Sequence, residues 1–145
     1  MNRLKSVPAM TPEIKAALKQ HSQLFGSYTK AGRLVQVRVW LTLNQGEIEF
    51  MTPAQSLKVK RISRNPSVVC LVGKLSVPGT AEIVKDQNAV LRTYRAYWKT
   101  HPLLMIVLGW SIRSRVRSGD QVVIRVTPDE PNPFAGITDP PIDQP

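Results

Sequence analysis

From Leu34 to Leu43 the chain alternates. Val35, Val37, Val39, Leu41 and Leu43 fall on one side, and Gln36, Arg38, Trp40 and Thr42 on the other. A period of two with β-branched residues predicts a strand that buries one face. Leu24–Thr29 before it and Glu47–Thr52 after it carry the same signal. The turns Lys30-Ala31-Gly32-Arg33 and Asn44-Gln45-Gly46 separate the three, so a meander is expected. Ser67–Gly73 is almost continuously apolar and reads as a buried strand. Leu75–Val84 is a further strand, where Pro78-Gly79 suggests a bulge or an edge. Gln121–Thr127 is the last.

Elsewhere the period lengthens to that of a helix. Thr11-Pro12-Glu13 starts one that ends near His21. Ala54–Arg64 reads as a short helix stopped by Asn65-Pro66. Asp86 caps a helix to about Thr100, broken by His101-Pro102. Leu103–Val116 reads as a further helix whose terminal Arg113, Arg115 and Arg117 oppose its dipole. Six antiparallel strands with a few flanking helices make the chain mainly β (α+β). They favour closure into a barrel, which removes exposed edges.

Composition sets limits. The 145 residues are 42% hydrophobic and 21% charged, a mixture that suits one globular domain. Six of the twelve prolines follow Thr127. The expected organisation is a domain over 1–127 and an extended or disordered tail over 128–145. The run Pro102–Trp110 is too short for a membrane span. The first twenty residues lack the apolar core of a signal peptide, so a cytoplasmic location is expected. The lone Cys70 excludes an internal disulfide and a multi-cysteine zinc site.

Charge changes the picture more. The chain carries +10. The tail from Pro128 holds Asp129, Glu130, Asp139 and Asp143 and no cation, leaving 20 basic against 6 acidic residues in the body. Such a body attracts anions. The densest cations lie in Ser56-Leu57-Lys58-Val59-Lys60-Arg61, just after Thr52 at a strand end. Amide groups at a helix start, a hydroxyl and an ammonium together suit a phosphate; an exposed basic helix face is the plainer alternative. No nucleophile elbow, phosphate-binding glycine loop or metal-ligand cluster is present. His21, His101 and Cys70 stand singly and read as structural or exposed.

The order of these segments resembles the flavin- and deazaflavin-binding split β-barrels of the pyridoxamine 5'-phosphate oxidase-like superfamily. The residues that carry the resemblance are Val37-Arg38-Val39-Trp40, Thr52, Ser56-Leu57-Lys58-Val59-Lys60-Arg61, Asn65-Pro66-Ser67-Val68 and Pro78-Gly79-Thr80-Ala81-Glu82, in that order. It departs from the family's pattern in the first hairpin, where Leu34 stands in place of proline.

The resemblance implies a six-stranded antiparallel split barrel. It implies that Ser56 and Lys58, with Lys60 or Arg61, hold a cofactor phosphate, while Arg38, Val39, Trp40, Met51 and Thr52 line its ring. The cofactor would be FMN or coenzyme F420, and the surplus of cations suits the longer anionic tail of F420. The function implied is hydride transfer between that cofactor and a small organic substrate. A homodimer with the cofactor at its interface is also implied, with Tyr94, Tyr97, Trp98 or Trp110 as interface aromatics. The alternatives are a non-catalytic flavin- or F420-binding carrier of the same fold and a basic nucleic-acid-binding barrel. The cation-rich segment has no aromatic from Pro53 to Pro66 to interleave with bases, so no nucleic-acid partner is expected.

Overall fold

The computed structural model describes residues 23–136 and Thr138. The Thr11–His21 helix lies outside the described residues. Seven strands form one antiparallel sheet: β1 (Gln23–Tyr28), β2 (Leu34–Val39), β3 (Thr42–Asn44), β4 (Glu47–Pro53), β5 (Ser67–Val72), β6 (Leu75–Val84) and β7 (Gln121–Pro128). Their order across the sheet is β2-β1-β5-β6-β7-β4-β3. β2 and β3 therefore sit at opposite edges, yet only Trp40 and Leu41 separate them. A chain that crosses from one edge to the other in two residues forces the sheet to curl into a barrel split at that point.

This corrects two expectations. The single Leu34–Leu43 strand is two strands, and the meander is interrupted, because β4 pairs with β3 and β7 rather than with β2. Alternation continues through the break, since Val39, Leu41 and Leu43 all remain in the core; this is why periodicity did not reveal it. The turn before β4 is as expected, with Gln45 and Gly46 both at positive φ.

Pro78-Gly79 marks neither a bulge nor an edge. β6 is an interior strand, and its register with β5 runs unbroken from Ser67↔Thr80 to Val72↔Leu75. The Pro78 carbonyl accepts from the Asp129 N–H at 2.9 Å, so the proline nitrogen also faces the β7 side, where the ladder has already ended at Pro128. Gly79 is required by close approach: a Cβ there would stand 2.6 Å from the Thr127 carbonyl oxygen.

One sheet face closes on Phe25, Leu43, Ile48, Phe50, Val68, Cys70, Ile124 and Val126. Phe25 meets Phe50 edge to face at 4.7 Å. Helix α1 (Leu57–Arg64) packs on β1 and β6 and sends Ile62 into this core. It starts at Leu57, after the Ser56 cap, three residues later than expected. Burial in this core pushes the Cys70 thiol up to about 12. Phe134 is fully buried in the same core, and Asn132 holds its segment by donating from Nδ2 to the Gly46 carbonyl. The barrel's packing thus continues past Thr127 to Phe134.

The other face carries a second layer. Helix α2 (Gln87–Thr100), capped by Asp86 as expected, and helix α3 (Pro102–Ser118), ended by Gly119 at φ 80, pack against each other and on β7. Ala89, Val90, Val116 and Val123 form that smaller core. Beneath it lies Glu49, 1% exposed. Arg92 of α2 donates to both of its carboxylate oxygens at 2.9 Å, and Arg125 of β7 donates to Oε2 at 2.7 Å.

Candidate functional site

A cleft of about 420 Å³ opens where the barrel splits. Three walls meet there. The ends of β2 and β4 supply Arg38, Val39 and Trp40, and Met51, Thr52 and Pro53. α1 supplies Lys58 from its first turn. The helical layer supplies Tyr97 from α2 and Leu108, Ser111, Ile112 and Arg115 from α3, and Gln121 opens β7. The volume lies within the usual range for small-molecule sites, about 300–1,000 Å³.

The strand break positions Trp40. Its indole stacks on His101 at 4.5 Å and 9° between planes, and meets Tyr97 edge to face at 5.1 Å. His101 is the joint between α2 and α3, so the break in the sheet and the joint of the helical hairpin clamp one aromatic between them. Tyr97 is fixed in turn by the Met51 N–H, which donates to its phenol oxygen at 2.8 Å. Burial holds the Tyr97 phenol well above its usual pKa, and the Met51 bond offsets this in part. The phenol stays protonated at neutral pH.

Ser56 caps α1, accepting from the Val59 N–H and from the Thr52 hydroxyl, each at 3.4 Å. The cap starts the helix at Leu57, which puts Lys58 in the first turn and on the cleft. The Lys58 ammonium is half-buried, and that burial, with Arg61 nearby, holds its pKa below the usual lysine value. Of the nine residues expected at the site, Arg38, Val39, Trp40, Met51, Thr52 and Lys58 line the cleft. Ser56, Lys60 and Arg61 do not. Ser56 spends its oxygen on the cap, Lys60 is exposed, and Arg61 is half-buried beside Lys58.

The sequence reading missed the α3 wall. Leu108, Ser111, Ile112 and Arg115 stand at i, i+3, i+4 and i+7, one helix face. That spacing was legible, but which face turns to the cleft depends on how the hairpin folds back. Three cations, Arg38, Lys58 and Arg115, line the cleft, and among the described residues no Asp, Glu, His or Cys does. Among the described residues no carboxylate pairs with Lys58 or Arg115. The described residues also hold no cluster of three metal-ligating side chains. The lining thus sets three cations beside the Trp40 and Tyr97 rings.

No family model and no curated protein matches the chain. Solved structures do. The conserved hypothetical protein Rv2991 of Mycobacterium tuberculosis superposes with a TM-score of 0.66 at 20% identity, over 90% of this chain and 86% of that one. A pyridoxamine 5'-phosphate oxidase-like protein of Listeria innocua gives 0.58 at 18%, over 81% and 92%. An F420 reductase gives 0.53 at 16%, over 79% and 92%. The chain has the split-barrel fold of the pyridoxamine 5'-phosphate oxidase-like proteins, as the order of its motifs implied. Its seventh strand is the expected second strand cut in two.

Proposed function

On that split barrel we propose a redox protein that binds FMN or coenzyme F420 in the cleft between β2, β4, α1 and α3, and exchanges a hydride with a small organic substrate. The observation that carries the reading is the lining itself: Lys58 and Arg115, paired with no carboxylate among the described residues, beside the Trp40 and Tyr97 rings. This donor set fits a planar heterocycle that carries a phosphate. Lys58 would hold the phosphate by a charge-assisted bond. Trp40, Val39 and the Met51–Thr52 end of β4 would shape the bed for the ring. Tyr97 keeps β4 in place by accepting from Met51. The bound ring supplies the hydride chemistry. Leu108 and Ile112 cover the cleft from α3 and exclude water.

Among the described residues, no Asp, Glu, His or Cys lines the cleft for general acid or base work at neutral pH, which agrees with chemistry carried by a cofactor. The same lack favours a second reading, a carrier that binds the cofactor without turnover. A homodimer belongs to the proposal, with the exposed aromatics Trp98 and Trp110 as candidate contacts. Titration of purified protein with FMN and with F420, followed by absorbance and fluorescence, tests it. Saturable binding of one, displaced by inorganic phosphate at high concentration, is expected. Binding of neither would overturn the proposal. Turnover of a reduced cofactor with electron acceptors separates enzyme from carrier.

A further inference from the structure

The proposed cofactor uses Lys58 and the aromatic end of the cleft. One group of polar side chains at the other end is left without a task. α3 turns Ser111 and Arg115 to the cleft, one turn apart on one face, with Arg115 in its last turn. The Arg115 carbonyl accepts from the Asp120 N–H at 3.3 Å, and the Asp120 carbonyl accepts from the Ala54 N–H at 2.7 Å. The last turn of α3 is thus tied to the start of β7 and to the end of β4. Gln121 follows at once. It stands two residues before Val123, which packs in the helical layer, so its side chain projects from the sheet face that α3 covers. Gln121 is 7% exposed and lines the cleft. Among the described residues, the Ser111, Arg115 and Gln121 side chains make no hydrogen bond or ion pair. A buried amide is costly to leave unmet, so its place beside an unpaired guanidinium points to a ligand.

We propose that Arg115, with Gln121 and Ser111, holds a carboxylate in the cleft, apart from the phosphate assigned to Lys58. The inference deepens the cofactor reading and rests on it for the task of Lys58. A guanidinium is a planar fork that meets both oxygens of a carboxylate. The Gln121 amide and the Ser111 hydroxyl can donate to the remaining lone pairs. One cation with two neutral donors matches a single negative charge, whereas a phosphate monoester brings about two.

The two anion positions belong to different walls. Lys58 comes from α1, which packs on β1 and β6, and Arg115 from α3, which packs on α2 and β7. The charge that helps to lower the Lys58 pKa is that of Arg61, on its own helix. Ile112 and Leu108 stand about one and two turns before Arg115 on the same face. They offer an apolar wall for about 10 Å from the carboxylate toward the α2–α3 joint. The carboxylate belongs either to a substrate with an apolar body or to the anionic tail of F420, and the test separates the two.

Titration calorimetry of the full chain with cinnamate and with cinnamamide, the same apolar body without the charge, tests this. Cinnamate should bind at least about tenfold tighter. Arg115→Gln should remove that preference. Arg115→Lys should restore only part of it, because an ammonium lacks the fork. Lys58→Ala should leave it intact. Arg115 is exposed, so the melting of its variants should match the parent. FMN should bind Arg115→Gln as it binds the parent. A loss of affinity confined to F420 in that variant assigns the carboxylate to the cofactor's tail, and unchanged F420 affinity assigns it to a substrate. Equal affinity for the two probes, or binding of neither, would overturn the proposal. So would a loss of FMN affinity in Arg115→Gln, because Arg115 would then belong to the phosphate. The probes are titrated without cofactor, so failure of this site and failure of the cofactor reading are separate outcomes.

Discussion

Lys58 shows how much one residue's setting matters. It belongs to a run of four cations, but the Ser56 cap places it on the cleft while Lys60 points into solvent. Replacement by alanine should weaken cofactor binding by roughly 1–3 kcal/mol, the scale of a hydrogen bond to a charged group. Lys60→Ala should leave affinity within threefold by the same calorimetry. A pH dependence follows with a definite sign. The phosphate needs the ammonium, and half-burial holds the Lys58 pKa below the ordinary 10.5. Affinity should be flat near neutral pH and fall as pH rises through that lowered value, earlier than an exposed lysine would allow. The alkaline fall should vanish in Lys58→Ala; a variant that keeps it would assign the titration to another group.

At the scale of elements, Glu49 decides how the helical layer sits. Alternation along β4 sends Ile48 and Phe50 inward and leaves Glu49 and Met51 under α2. A buried carboxylate there is tolerable only because Arg92 and Arg125 both donate to it. Arg125 is itself affected: burial alone would lower its pKa, but the Glu49 bond and the charges of Glu49, Glu47 and Glu82 raise it on balance. Glu49→Gln leaves two guanidinium groups beside a neutral amide. It should cost about 2–3 kcal/mol in urea unfolding, at or below the usual range for a broken buried pair because the arginines are partly exposed. Unchanged stability would show that α2 is held by its apolar face alone. From sequence, Glu49 read as one more polar position of an alternating strand. Its partners lie 43 and 76 residues away, and no local pattern carries that information.

Over the whole molecule, the barrel draws on a segment that composition assigns to a tail. The prolines and acids after Thr127 predict an extended or disordered stretch, yet Phe134 fills the core beside the β3–β4 turn. Phe134→Ala should cost about 3 kcal/mol, a fall of about 10 °C in Tm. Deletion of 128–145 should cost at least as much. If that truncation melts with the parent, Phe134 contributes no packing energy.

The chain by itself determined its mainly antiparallel architecture, both helix breaks at prolines and the cation-rich segment after β4. Each of these depends on neighbours within a few residues: alternation, a capping serine, a proline that lacks its N–H. Six of nine expected site residues reach the cleft for the same reason, since they sit at strand ends or in a first helical turn. Tertiary structure alone decided that Leu34–Leu43 would divide between two sheet edges, which face of α3 would turn to the cleft, and that Phe134 would return to the core. Those outcomes are set by which buried surfaces close the barrel together. That choice is made between segments far apart in the chain, where periodicity and propensity are silent.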